Sequence, residues 1–547
     1  MDLATLRPLL VSRLQTASAN PVVSLFRNAI FLYVLFRWLS TGAHEVGMYG
    51  LTGAFRRFYL FILQRTIKAA RSAVPVANAA VKKEVEKSIA SIEKNMCPDV
   101  PGEKKYLALP AEGLSQAAVR AELKRYQDMG HVDWKGGKVS GAIYHGGDDM
   151  VRLTTTAFEM FNFTNPLHPE VFPGVRKMEA EVIAMVLSMY NAPPGACGSV
   201  TSGGTESLLM AVKTYRDMAR EIRGVTEPEM VVPSTIHTAI DKAAAYFSVK
   251  LIHIPVDPTT GKVDVKKVSK AITRNTIMIA GSAPNFPHGI IDDIPALAAI
   301  AKKRRIGMHV DCCLGGFLVP FMEKAGMALP HWCDFRVEGV TSISVDTHKY
   351  GFAPKGSSVV MYRSKEIRNY QYFITTEWPG GIYASPTIAG SRPGALVAGC
   401  WAALIKFGEA GYVESTQEIV GAARRIRDTV AKIPYLKIFG EPLVSVVAFY
   451  AISPIKTYGL ADLLSRKGWH LNVLQNPPAI HIACTILTVP AVDQLLEDIK
   501  EAVQVLLKNP EAGNGDVAAI YGTAASVPDR SVVADVTRGF LDALTKI

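Results

Sequence analysis

From about Arg176 to Tyr362 the chain alternates between two periodicities. Apolar positions recur at helical spacing in Met178–Tyr190 and Glu206–Arg220, as they do when one helix face is buried. Interleaved with these are short apolar runs at Met230–Val232, Leu251–Pro255, Thr276–Ala280, Met308–Val310, Ser342–Val345 and Ser358–Tyr362. Strands separated by helices predict an α/β body with a large, mainly parallel sheet covered on both faces. A Gly/Pro-rich bridge, Trp378–Gly394, leads into a smaller α+β region with strand-like runs at Val444–Ile452 and Ala479–Leu487 and a helical run at Val492–Leu507. No internal repeat or low-complexity tract interrupts the pattern.

The N-terminal pattern differs. Residues 22–40 are apolar or aromatic at 14 of 19 positions. A helix of about 20 such residues spans a bilayer; Arg27 and Arg37 are tolerable only if their stems snorkel toward the headgroups. A second patch, Phe58–Leu63, is too short to cross. Charge alternates in sign from Lys82 to Lys94, as on a solvated helix, and the prolines of Pro98–Pro110 mark a linker. The expected organisation is an anchor and basic linker (1–105), an N-terminal arm (106–175), a large domain (176–395) and a smaller C-terminal α+β domain (396–547).

Composition sharpens this picture. With 49% apolar and 20% charged residues, the 547-residue chain has material for a large core and is no disordered or disulfide-scaffold protein. Of the net charge of +11, residues 1–105 hold +8 (15 Lys/Arg against 7 Asp/Glu). Basic excess beside an apolar N-terminus points to a membrane face, not to nucleic acid. The seven cysteines form no C-x-x-C pair, which argues against a zinc ribbon or disulfide framework and for a reducing compartment.

Candidate chemistry lies in four places. Ser344-Val-Asp-Thr-His-Lys349-Tyr-Gly puts a lysine at the end of an apolar strand, where desolvation lowers an amine's pKa and suits it to Schiff-base formation. Thirty-eight residues earlier, Asp311 ends another strand; a carboxylate there can pair with the pyridinium nitrogen of pyridoxal phosphate. Neighbouring strand residues face opposite ways, so His309, Asp311, Cys312 and Cys313 do not make a metal site. Thr201-Ser-Gly-Gly-Thr205-Glu-Ser207 opens an apolar-periodic helix, whose N-terminal N–H groups can cradle a phosphate. His237 lies between these elements, where an imidazole can stack on a cofactor ring. Phosphate cradle, stacking imidazole, pyridinium acid and lysine occur in the order of an aspartate-aminotransferase-type (fold type I) enzyme.

Longer motifs make the chain recognisable: Ser140-Gly-Ala-Ile-Tyr144, Asn165-Pro-Leu-His168-Pro-Glu-Val-Phe-Pro-Gly174, Phe286-Pro-His-Gly289, Ala353-Pro-Lys355-Gly356 and the glycine-rich Gly380–Gly394. With these, roughly Leu107 to the C-terminus resembles the sphingosine-1-phosphate lyase family. These are membrane-anchored, pyridoxal-phosphate-dependent aldehyde-lyases of the group that includes glutamate decarboxylase. Cys312 stands where the family usually has alanine, and Asn285 where it often has glutamine.

The resemblance implies that Lys349 carries pyridoxal 5'-phosphate covalently, Asp311 pairs with its ring nitrogen and His237 stacks on its face. Gly204, Thr205 and His348 would hold its phosphate, with Ser391 contributed by the other subunit of a homodimer. Tyr144, His168 and Lys355 would surround the substrate phosphate and the reacting carbons, with Tyr144, His168 and a substrate phosphate oxygen all open as the base. The implied reaction is retro-aldol cleavage of a phosphorylated sphingoid base to a long-chain aldehyde and ethanolamine phosphate. The rivals are an amino-acid decarboxylase, which needs neither anchor nor Lys355, and a non-catalytic membrane-tethered scaffold. Arg7 and Arg13 precede the apolar span, whereas Arg56, Arg57, Arg65, Lys68 and Arg71 follow it. The positive-inside tendency thus puts residues 1–20 in a lumen and the catalytic body in the cytosol, as a single-pass protein of the endoplasmic reticulum.

Overall fold

The computed structural model describes residues 21–73, 75–97, 103–130, 132–515, 517 and 530–547. The expected luminal segment, residues 1–20, and part of the 98–110 linker lie outside the described residues. Seven strands form the central sheet: β1 (Cys197–Thr201), β2 (Glu229–Pro233), β3 (Lys250–Ile254), β4 (Thr276–Ser282), β5 (Gly307–Asp311), β6 (Ser342–Val345) and β7 (Ser358–Tyr362), in the order β1-β7-β6-β5-β4-β2-β3. Pairing is parallel from β6 across to β3, while β7 runs antiparallel to both β1 and β6. Every residue of β1, β2, β4, β5, β6 and β7 is buried, as in a sheet with helices on both faces.

A hairpin pairs β8 (Phe373–Thr375), just before the glycine-rich bridge, with β9 (Tyr383–Ser385) inside it. The smaller sheet has four antiparallel strands, β10 (Leu436–Ile438), β11 (Val446–Ala451), β12 (Asn472–Leu474) and β13 (Ala479–Ala483), in the order β10-β11-β13-β12. The N-terminal arm is sewn to it: the Ser140 N–H donates to His470 O at 2.9 Å and Gly141 N–H to Ala483 O at 3.1 Å. Between the strands of the two sheets in chain order comes a helix the apolar pattern does not reveal, Gly394–Val430, broken at Gly408 (φ 57°).

The described chain divides into two compact units, residues up to Ser91 with Asp529–Gly539, and Ile92–Pro528 with Phe540–Ile547. In the first, the N-terminal helix Pro21–Ala73 is broken at Gly50 (φ 71°). Its apolar stretch, Ser24–Phe36, includes Arg27 and is shorter than the roughly 20 residues of a typical span. The described helix that is long and apolar enough to cross a bilayer is Gly394–Val430, yet Val397, Cys400, Ile419 and Ile426 bury it in the second unit.

Helix Gly204–Arg223 packs on the sheet through a close approach at β5. A Cβ on Gly307 would lie 2.5 Å from the Tyr215 ring, whose hydroxyl donates to Ser342 Oγ at 2.8 Å. Gly307→Ala is therefore expected to destabilise the body by about 1–3 kcal/mol through overpacking. The check is the denaturation midpoint in urea; an unchanged midpoint would place helix and sheet further apart than described.

Candidate active site

The parallel strands all end on one edge of the sheet, and the candidate residues emerge there. The turn after β1 leads to Gly204, that after β2 to His237, β5 ends at Asp311, and the turn after β6 carries His348 and Lys349. Because β7 is antiparallel, its start lies on the same edge, so Lys355 arrives there from the opposite chain direction. The crevice outside the carboxyl ends of such strands is where α/β sheets bind ligands.

Lys349 Nζ lies 2.9 Å from Asp346 Oδ2, three residues back across the turn. Burial pushes the amine's pKa down, but the Asp346 carboxylate outweighs it and the net shift is upward. The expectation that desolvation leaves Lys349 with a lowered pKa is thus overturned by an acid the sequence reading did not weigh. As long as Asp346 holds it, Lys349 is an ammonium.

Helix Gly204–Arg223 begins directly over this pair. A Cβ on Gly204 would fall 2.8 Å from both Asp346 carboxylate oxygens and 2.7 Å from Cys313 Sγ. Only glycine permits that approach. His348 closes the side: its Cε1 would lie 3.4 Å from a Cβ on Gly203, and its Nδ1 accepts the Ser357 N–H at 3.3 Å. Burial, aided by Lys355 and Lys349 against Asp346, lowers the pKa of His348. The ring is neutral, with Nε2–H as its donor.

Tyr144 packs edge-on to Tyr350 at 4.8 Å, and Lys355 Nζ sits 4.6 Å over its ring. Burial pushes the Tyr144 phenol up to about 12, Lys349 opposing and Asp346 adding, so it is a hydrogen-bond donor at neutral pH. Burial, followed by the Lys349 charge, lowers the pKa of Lys355 from 10.5, with Asp346 partly offsetting. Asp311 Oδ1 accepts the Cys313 N–H at 3.0 Å and the Ser344 hydroxyl at 3.4 Å. His237 Nδ1 accepts the Ala239 N–H at 3.1 Å, and its half-buried ring meets Phe286 edge-on at 6.4 Å.

Three sequence candidates stand apart. His168 is exposed, its Nδ1 3.8 Å from Glu170, and Thr205 and Ser391 are also exposed. The segment bearing Ser391 is nevertheless pinned beside the site, because Glu206 accepts both the Ser202 N–H (2.7 Å) and the Ile388 N–H (2.9 Å). Asn165 Oδ1 accepts the Arg392 N–H at 3.1 Å. Sequence reasoning missed Glu206 and Asp346; the i, i+3 spacing of Asp346 and Lys349 was the available signal.

These groups fit pyridoxal phosphate. The helix start at Gly204 offers N–H groups that no helical carbonyl can use, His348 adds a donor, and Asp346 Oδ1 is buried without a partner. An amine and a strand-end carboxylate, Lys349 and Asp311, complete the donor set.

Residues 142–452 match the model of the pyridoxal-dependent decarboxylase conserved domain. The chain is 46% identical to the sphingosine-1-phosphate lyase of Saccharomyces cerevisiae over 96% of its own length and 90% of that protein. It is 48% identical to sphingosine-1-phosphate lyase 1 of Rattus norvegicus over 86% and 83%. Among solved structures, the Burkholderia pseudomallei sphingosine-1-phosphate lyase superposes with a TM-score of 0.75 at 34% identity, covering 82% of this chain and 99% of that one. The Lactobacillus brevis glutamate decarboxylase, at 20% identity, a TM-score of 0.63, and 75% and 96% coverage, shares the fold. The order of the candidate elements is consistent with these likenesses, and the chain belongs to the sphingosine-1-phosphate lyase family of pyridoxal-phosphate-dependent enzymes.

Proposed function

We propose that this enzyme cleaves phosphorylated long-chain sphingoid bases between the carbon bearing the amine and the carbon bearing the hydroxyl. The hydroxyl carbon leaves as a long-chain aldehyde, and the amine carbon gains a proton to give ethanolamine phosphate. The observation that carries the reading is the second cation. Lys355 lies over Tyr144, close enough to Lys349 for the charge of one to lower the pKa of the other, where a phosphomonoester would meet it.

Bound pyridoxal phosphate supplies an electron sink for the carbon–carbon bond electrons. The other tasks fall to side chains. Asp346 holds the Lys349 side chain in place. Lys355 binds the substrate phosphate as a charge-assisted partner, and the neutral Tyr144 donates a hydrogen bond beside it. Gly204, Thr205 and His348 hold the cofactor phosphate, Asp311 its ring nitrogen and His237 its ring face. His168 would approach the substrate from the arm.

The enzyme works as a homodimer with shared sites. Support comes from the β8–β9 region, which leaves Phe373, Ile374, Trp378, Ile382 and Ile388 56–78% exposed, an apolar surface that a monomer would not keep. It attaches to the endoplasmic reticulum membrane through the N-terminal helix, its catalytic body cytosolic. There, Leu25, Phe26, Ile30, Phe31, Leu32, Tyr33 and Phe36 are exposed around the whole circumference, as suits lipid contact.

Product analysis tests the reaction: aldehyde plus ethanolamine phosphate from the phosphorylated base supports it, whereas an intact base together with carbon dioxide released from an amino acid would make the enzyme a decarboxylase. Lys355→Ala should keep the absorption of the lysine-bound cofactor while kcat/KM for the phosphorylated base falls about 10- to 100-fold. Because Lys355 is held below 10.5, KM should rise at a pH below the ordinary lysine range. Lys355→Arg should move that rise upward. Loss of the cofactor band in Lys355→Ala would exchange the roles of the two lysines.

Mixing inactive Lys349→Ala subunits with inactive Ser391→Arg subunits should restore about a quarter of the sites, since each mixed dimer contains one intact pair. Mixed dimers without activity would count against shared sites.

A further inference from the structure

Behind Asp311 lies a line of buried polar side chains that the reaction as described does not use. In the β5–β6 register His309 stands opposite Ser342 and Asp311 opposite Ser344. Residues two apart share a sheet face, so these four side chains point the same way, toward helix Gly204–Arg223. His309, Ser342 and Ser344 are fully buried. His309 Nδ1 lies 2.8 Å from Ser342 Oγ and Nε2 3.0 Å from Ser344 Oγ. Tyr215 from the helix donates to Ser342 Oγ at 2.8 Å.

Counting protons gives the line a single direction. Ser344 has one hydroxyl proton, which goes to Asp311 Oδ1 at 3.4 Å. Its oxygen must then accept from its other neighbours, His309 Nε2 and the Cys313 thiol at 3.3 Å. His309 is therefore the Nε2–H tautomer, and its bare Nδ1 accepts the Ser342 proton. Ser342 in turn accepts from Tyr215. Every proton between Tyr215 and Asp311 points toward the carboxylate. A reversed line would aim an oxygen lone pair at that charge, or leave a buried group unpaired. Burial also keeps the His309 ring neutral, its pKa lowered to about 4, so the line has no competing charge.

We infer that His309 is a positioning residue that acts through Ser344, fixing Asp311 as an oriented carboxylate and thereby keeping the cofactor's ring nitrogen protonated. The inference rests on the reading of Asp311 as the partner of that nitrogen. The sequence hides the line because its members look like strand filler: a histidine and two serines in apolar runs.

The test uses the detergent-solubilised full chain loaded with pyridoxal phosphate labelled with nitrogen-15 at the ring nitrogen. Ser344→Ala and His309→Phe should move the ring-nitrogen resonance toward the unprotonated position. They should lower kcat about tenfold, the worth of one hydrogen bond to a charged group, with little change in KM. Ser344→Thr, which restores the hydroxyl, should restore both readouts. In the unsubstituted enzyme, histidine labelling, assigned by the signal lost in His309→Asn, should show the Nε2–H tautomer at His309. An Nδ1–H tautomer, or a ring-nitrogen resonance unmoved in Ser344→Ala, would overturn the inference. Asp311→Asn separates the two claims. If it too leaves the resonance unmoved, the reading of Asp311 falls; if it alone moves it, only the line fails.

Discussion

A charged amine can be withdrawn from water only beside a charge that compensates it, and the catalytic edge of this enzyme is arranged around one such pair. Asp346 holds Lys349 at 2.9 Å within the turn that ends β6. The carboxylate is buried, so the turn, the helix above it and the strand beside it are all constrained to its position. Gly204 lacks a side chain because Asp346 occupies the space. Cys313, following β5, touches the same point, which ties the Asp311 strand to the Lys349 turn.

The electrostatics of the edge follow from that pair. Lys349, Lys355 and the N-terminus of helix Gly204–Arg223 bring positive potential to one place, against the buried acids Asp346 and Asp311. Such a surface suits a ligand pair carrying two phosphates, one from the cofactor and one from the substrate. Burial keeps the neighbouring titratable groups neutral: Tyr144 is pushed up to about 12, and the pKa of His348 is lowered. They bring hydrogen-bonding groups to this edge and add no charge.

The strands were legible because strands buried on both faces read as short apolar runs, and β2 and β4 enclose the runs Met230–Val232 and Thr276–Ala280. β1 was not, since Cys-Gly-Ser-Val-Thr carries almost no apolar signal and is held by its pairing with β7. Helix Gly394–Val430 was hidden by its glycines: it starts on one and kinks at another, Gly408, which blurs the 3.6-residue period. Lys349 could be singled out by its strand-end position, but the direction of its pKa depends on the fold of a turn. His168 and Ser391, exposed in the single chain, have no local pattern that separates them from solvated residues; the family motifs alone singled them out.

The account stands on one residue carrying the cofactor. Reduction of the loaded enzyme with borohydride, followed by proteolysis and mass spectrometry, tests this directly. The visible cofactor band should vanish and the reduced phosphopyridoxyl mass should appear on Lys349, within the Asp346–Gly351 segment. That mass on Lys355, or on no lysine of the β6–β7 turn, would contradict the assignment of the catalytic edge.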